Sequence, residues 1–166
     1  MREITSAGVV LAVIDGPCAG AELERALHAD IRVAADSATF SADGANDVAA
    51  CAGRLAQLLG EARAKEIVLG MRTFDAANAL RLGLVTRVVP AAALADTARA
   101  LADTLAALPP LALPAIRESV RAARQLTPDA ALALEHRHFC RLLTTRDHKA
   151  AVAAFFERRP AVFTGE

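Results

Sequence analysis

The chain has 166 residues, 54% of them hydrophobic, which suits a folded protein with its own core. Its 19 Lys and Arg residues balance 19 Asp and Glu residues, and only 4% of the residues are aromatic. Nucleic-acid binders usually show a basic excess or stack bases on aromatic rings, so no nucleic-acid partner is expected. The sequence shows no signal peptide and no apolar run that could span a bilayer, and its three cysteines are scattered. We therefore predict a cytoplasmic protein without a membrane partner.

The first half of the sequence alternates between short apolar strands and helices. Glu3 to Ser6 resembles a helix tail or an entry loop, and the apolar run at 8–14 predicts a strand buried on both faces. A helix over residues 20–29 follows. The remaining elements of this half are predicted from periodicity and from the glycines that end helices. They are strands at 31–35 and 39–40, helices at about 46–59, 61–69 and 76–82, and a strand at 84–89.

Beyond Pro90 the sequence predicts helices alone. Their expected ranges are about 94–108, 115–124, 128–143 and 147–158, with breaks at the prolines of residues 109, 110 and 114. This change in composition predicts an α/β core over residues 1–90 and a helical region over residues 91–166.

The turn before the first predicted helix is a candidate site. Gly20 and Ala21 are small, and the backbone N–H groups at a helix start have no carbonyl partner within the helix, so a ligand oxygen could approach them. Glu24 follows one turn later and could move a proton beside that oxygen. The alternative is an ordinary helix that carries Glu24 on its solvent face.

Several motifs follow one another along the chain: AVIDG at 12–16, GAELE at 20–24, DIRVAA at 30–35, ATF at 38–40, GLV at 83–85, VVP at 88–90 and AFFER at 154–158. Their order resembles the second half of the enoyl-CoA hydratase/isomerase (crotonase) superfamily. The resemblance implies a partial spiral of ββα units with a C-terminal helical oligomerisation region. It also implies a homo-oligomer, a trimer or hexamer, that acts on an acyl-CoA thioester as a hydratase-like lyase or an isomerase. No cofactor or metal is expected, because the CoA thioester is the substrate.

The resemblance also assigns roles to residues of the turn. Ala21 falls on the position whose N–H stabilises the thioester oxyanion, with Gly20 beside it, and Glu24 falls on the first catalytic acid/base. The family has glycine at the position of Ala21, so an alanine there would cost energy if that backbone needs a positive φ. A second family Glu is missing. Asp43 could replace it, whereas Asp47 is interpreted as a helix cap.

The sequence also departs from the family pattern in extent, since it begins roughly one third of the way into it. The part before that point normally supplies the other oxyanion N–H and much of the CoA-adenine pocket. A second hypothesis is therefore a catalytically degenerate crotonase-fold protein that binds or assembles, and a third is a truncated fragment.

Other chemically capable residues have simpler interpretations. Glu22 is expected to face solvent, His28 to pack in the core rather than to bond Glu24, and Arg32 to be a solvated arginine at a strand end rather than a ligand for an acyl or phosphate group. Cys18 is expected to be a buried thiol rather than a nucleophile. The HRHFC run at 136–140 resembles a metal motif but is interpreted as partly exposed helix residues.

Overall fold

The computed structural model, which describes residues 1–42, 48–70 and 73–166, begins with a β-hairpin. Strands β1 (Arg2–Ser6) and β2 (Val9–Ile14) pair antiparallel. Ala7 and Gly8, which join them, both have positive φ, at 48° and 77°. Such a two-residue turn matches the twist of a hairpin, so the expected helix tail or loop at residues 3–6 is wrong.

A four-stranded sheet has the order β1-β2-β4-β7, with β4 at Ile31–Ala35 and β7 at Arg87–Val89. β2 runs parallel to β4, and β4 runs parallel to β7. Five of the six residues of β2 are buried, as its continuous apolar run predicts. The last strand is shorter than expected, because the N–H groups of Leu84 and Val85 bond the carbonyl of Ala79 and close the preceding helix.

A second sheet contains β3 (Pro17–Ala19), β5 (Thr39–Ser41) and β6 (Phe74–Asp75), in the order β3-β5-β6. The sequence did not predict β3, because its Gly-Pro-Cys-Ala surroundings are typical of a turn. Pro17 fits as the first residue of a strand, where its missing N–H is tolerated.

Four helices cover these sheets: α1 (Ala21–His28), α2 (Val48–Leu59), α3 (Glu61–Gly70) and α4 (Ala76–Leu82). The chain twice forms a unit in which a strand of the first sheet is followed by a strand of the second sheet and then by a helix. These units are β2-β3-α1 and β4-β5-α2. This repetition is the partial ββα spiral that the resemblance implies. The core of the spiral contains these fully buried side chains: Ile14, Cys18, Leu23, Leu27, Phe40, Leu55 and Leu84.

The chain divides into two compact units, Met1–Ala102 and Asp103–Glu166. A short 3₁₀ turn at Ala91–Ala93 leads into α5 (Leu94–Ala106), most of which belongs to the first unit. The organisation predicted from composition, with a boundary at residue 90, stays a prediction.

The second unit consists of helices, α6 (Ala112–Ala122), α7 (Pro128–Leu143) and α8 (Arg146–Glu157). Pro114 lies inside the first turn of α6 rather than breaking it, because the N–H groups of that turn have no partner within the helix. The side chain of Thr127 caps α7 and that of Thr145 caps α8. Within the described ranges, no helix is long and apolar enough to cross a membrane.

Candidate functional site

Gly20 forms the joint between β3 and α1. Its φ of 53° and ψ of −127° lie in a region that residues with a side chain rarely adopt. The Gly20 carbonyl accepts a hydrogen bond from the Glu24 N–H at 3.0 Å, so the helix begins directly after the turn. The N–H groups of the next residues, beginning with Ala21, therefore stand at a helix start without an intrahelical acceptor. This arrangement can hold a negatively charged oxygen.

Ala21 occupies this position without backbone strain. In the described residues, Ala7 and Arg158 are the non-glycine residues with positive φ, so the unusual backbone falls on Gly20 and not on Ala21. The cost anticipated for an alanine here is therefore not incurred. Ala21 is exposed at the start of α1.

The carboxylates of Glu22 and Glu24 lie in the first turn of α1, two residues apart. Both residues are half-buried. The two carboxylate oxygens of Glu22 each lie 3.4 Å from the amino nitrogen of Met1, so this side chain has a partner instead of simply facing solvent. Side chains two residues apart on a helix point to different sides, so Glu22 and Glu24 do not form an acid/base pair.

His28 ends α1 and is exposed, so the expectation that it packs in the core is wrong. Its Nδ1 lies 2.9 Å from the backbone carbonyl oxygen of Glu24, one turn earlier. The imidazole therefore bonds the helix backbone rather than the Glu24 carboxylate.

Both acidic candidates for the missing second carboxylate, Asp43 and Asp47, lie outside the described residues. The chain is described up to Ala42, which is buried together with Phe40 and Ser41. The role of Asp43 as a second catalytic residue stays a prediction, as does the cap role of Asp47.

Arg32 is buried with 6% of its surface exposed, so both sequence interpretations, a solvated arginine and a ligand for acyl or phosphate groups, are wrong. Its Nε donates to the Leu84 carbonyl at 2.6 Å, and one terminal nitrogen donates to the carbonyls of Ala29 at 2.6 Å and Ala26 at 3.2 Å. Burial lowers the pKa of this guanidinium, with a further contribution from the nearby charge of Arg54. The sequence could not reveal this role, because an arginine in a strand usually faces solvent.

Cys18 is buried in β3, directly before the turn. Burial, with a smaller contribution from the Glu22 carboxylate, raises the pKa of the Cys18 thiol from 9.0 to about 12. A nucleophilic cysteine needs a lowered pKa. The interpretation of Cys18 as an inert thiol agrees with this.

The histidines and the cysteine of the 136–140 run point to different partners. Cys140 Sγ lies 3.5 Å from His136 Nε2 one turn away, whereas His138 Nε2 lies 3.3 Å from a carboxylate oxygen of Glu118 on α6. Throughout the described ranges, no group of three His, Cys, Asp or Glu side chains is arranged to hold a metal ion.

A cleft of about 480 Å³ opens beside β5 and β6, and the sequence motifs did not indicate it. Of the predicted site residues that the structure describes, Gly20, Ala21 and Glu24 do not line this cleft. Its charged lining residues come from α3, β6 and α4: Arg63, Glu66, Asp75 and Arg81.

Comparison with known proteins places this geometry in context. The family model for enoyl-CoA hydratase/isomerase matches residues 1–166. The chain is 35% identical to the probable enoyl-CoA hydratase echA8 of Mycobacterium bovis over 158 residues, which cover 93% of this chain and 62% of that protein. It is 32% identical to the short-chain-enoyl-CoA hydratase of Clostridium acetobutylicum, covering 90% of this chain and 59% of that protein.

The fold is also similar to that of solved structures. An enoyl-CoA hydratase from Bacillus anthracis superposes with a TM-score of 0.90 at 30% identity, covering 96% of this chain and 64% of that one. The chain thus spans about 60% of the length of the curated relatives named above, which are 62% and 59% covered.

Proposed function

The chain belongs to the enoyl-CoA hydratase/isomerase family, and on that premise we propose that it acts on an acyl-CoA thioester at the turn formed by Gly20, Ala21 and Glu24. The observation that carries this proposal is the Gly20 backbone. Its φ of 53° and ψ of −127° end β3 and begin α1 within one residue, which leaves the Ala21 N–H free of an intrahelical acceptor. Glu24 lies one turn later and is half-buried.

The proposed chemistry divides between these groups. The Ala21 N–H donates to the thioester oxygen and stabilises the negative charge that develops there when water adds to the β-carbon or when the α-carbon loses its proton. Glu24 transfers that proton. In hydration, the hydroxyl of water joins the β-carbon and a proton joins the α-carbon. In isomerisation, a proton leaves one carbon of the acyl group and another carbon of that group receives it.

Substitution of the proposed acid/base tests this function. Glu24→Gln keeps the size of the side chain but removes its charge, and we expect turnover of a short enoyl-CoA to fall by roughly 10²–10⁴-fold. Glu22→Gln is the matched control, because it removes a carboxylate from the same turn of α1. An unchanged rate in Glu24→Gln, or an equal loss in both variants, would remove Glu24 from the mechanism.

A second candidate function is a catalytically degenerate binding or assembly subunit. It is favoured by the sequence after Phe40, where Asp43 and Asp47 are the nearest acids to the position of the family's second Glu. The two candidates differ in one measurable way. A binding subunit would bind the thioester without converting it, and Glu24→Gln would then leave its affinity unchanged.

We further propose that the helical region forms a homo-oligomer, a trimer or a hexamer. Support comes from large apolar side chains exposed on the second unit, which are typical of surfaces that become covered. Phe155 and Phe156 on α8 are each 78% exposed, and α7 adds Leu132 and Phe139 at 66% and 59%. Light scattering of the purified chain tests this, and a stable monomer would contradict it.

The proposed chemistry relies on the chain's own N–H and carboxylate groups, with the CoA thioester as substrate and no separate cofactor. A cytoplasmic location stays part of the proposal. Cys18, Cys51 and Cys140 are present as thiols, which is consistent with a reducing compartment.

A further inference from the structure

The C-terminal end of α1 is held by a buried guanidinium. Arg32 lies on β4 and reaches the carbonyl oxygens of Ala26 and Ala29 at the end of the helix, at 3.2 and 2.6 Å. It also reaches the carbonyl of Leu84, in the segment between α4 and β7, at 2.6 Å. One side chain therefore connects the helix, the sheet and the segment that enters the next strand.

This arrangement fits the electrostatics of a helix end. The last carbonyls of a helix carry partial negative charge and have no N–H partner within the helix, so a cation is favourable there. The planar fork of an arginine can bond several acceptors at once, whereas a lysine presents a single charged nitrogen. Arg54 of α2 adds a second guanidinium at the same end, since its Nε donates to the Leu27 carbonyl at 3.1 Å.

Burial of a guanidinium is costly unless its hydrogen bonds are satisfied, and Arg32 is 94% buried, the complement of its 6% exposure. A role in binding substrate would need exposure to the ligand. The bonds of Arg32 instead go to the protein backbone at the end of α1 opposite Gly20 and Ala21.

We propose that Arg32 is a positioning residue for α1, which fixes the helix so that the Ala21 N–H and the Glu24 carboxylate meet the thioester together. The catalytic part of this inference rests on the proposed function. α1 has only eight residues, so a rotation or shift at its anchored end moves its first turn as well. A misplacement of about 1 Å far from the chemistry can cost 10²-fold in rate.

The test compares Arg32→Lys with Val33→Ala. Arg32→Lys keeps the positive charge but loses the fork that joins Ala29 to Leu84. Val33→Ala is the matched control, because Val33 is the next residue of the same strand, is fully buried and packs in a separate apolar cluster with Leu94 and Ala98. It therefore destabilises β4 without touching α1.

Hydrogen exchange supplies the readout that does not depend on activity. In Arg32→Lys we expect faster exchange in α1 and at residues 84–86, with β2 still protected. In Val33→Ala we expect α1 to keep its protection. Equal loss over α1 and β2 in Arg32→Lys, or protection in α1 as in the unsubstituted chain, would overturn the proposal.

Turnover supplies the second readout. Arg32→Lys is expected to lower kcat by about 10–100-fold with little change in KM. If Arg32 had only a structural role, kcat corrected for the folded fraction would be the same in Arg32→Lys and Val33→Ala. Loss of kcat in Val33→Ala to the same extent would overturn the positioning role. If the unsubstituted chain turns over no enoyl-CoA, the proposed function fails, and hydrogen exchange still decides whether Arg32 anchors α1.

If Arg32→Lys does not fold, the proposal can still be tested on the unsubstituted chain. Native-state exchange under increasing urea should show α1 and residues 84–86 opening with one free energy, because Arg32 joins them. Opening of α1 at a clearly lower free energy than residues 84–86 would overturn the proposal.

Discussion

Substitution of Gly20 by alanine separates backbone conformation from side-chain chemistry at the site. Gly20 has φ 53° and ψ −127°, outside the regions open to residues with a Cβ. An alanine must either keep this conformation at a cost of about 1–3 kcal/mol or shift the start of α1. Either outcome lowers the free energy of unfolding, and the second moves the Ala21 N–H away from the thioester oxygen.

Two other glycines provide matched controls. Gly83 has φ 83° and ψ 16° at the end of α4, and a Cβ there would have no atom within 4 Å, so Gly83→Ala should cost about 1–2 kcal/mol of backbone strain alone. Gly16 lacks a positive φ and has the same open space, so Gly16→Ala should be close to neutral. Urea unfolding of the three variants measures these costs.

Turnover then distinguishes strain from function. In addition to its loss of stability, we expect Gly20→Ala to lower kcat by about 10²–10³-fold, which is the effect of removing one oxyanion donor. Gly83→Ala should keep the rate of the unsubstituted chain. The reasoning is refuted if Gly20→Ala is as stable and active as the unsubstituted chain. It is also refuted if Gly83→Ala loses activity to the same degree.

Three further predictions concern buried groups. Phe40 is 1% exposed, so Phe40→Ala should lower the free energy of unfolding by about 3–5 kcal/mol in urea titrations; a loss below 1 kcal/mol would contradict its place in the core. The pKa of Cys18 rises from 9.0 to about 12 on folding, so the unfolded state loses this proton first and stability falls as pH rises from 9 towards 12. The loss is about 1.4 kcal/mol at pH 10, and Cys18→Ala should remove that part of the slope. Asp147 is 3% exposed and accepts hydrogen bonds from the N–H groups of Thr164 and Gly165 at 2.7 and 3.0 Å. Asp147→Ala should therefore lower the free energy of unfolding by about 2–3 kcal/mol and expose the last residues to carboxypeptidase. Unchanged digestion would contradict this prediction.

The sequence predicts most of the elements of this fold because their signals are local. The range 128–143 for α7 is matched exactly, since Thr127 caps it and Pro128 sits at its first position. The hairpin strand β1 and the short strand β3 were not predicted. Neither Glu3 nor Pro17 has a local preference for a strand, so both strands form through pairing, β1 with its hairpin neighbour β2 and β3 with the more distant β5.

The site shows the same division between local and distant information. The helix start at Gly20 follows from small residues at the end of a strand, and the sequence indicates it directly. The sequence does not indicate that Arg32 anchors α1, because the partners of Arg32 are separated from it by up to 52 residues. His28 is expected in the core, but it lies in the exposed last turn of α1, where its ring bonds the Glu24 carbonyl.

The most direct test of the central claim is a calorimetric titration of the purified chain with a short enoyl-CoA and, separately, with free CoA. A thioester pocket at Gly20, Ala21 and Glu24 predicts that the enoyl-CoA binds more tightly than CoA, and that Gly20→Ala removes this preference while leaving the affinity for CoA in place. Equal affinities for the two ligands, or no binding of either, would contradict the account.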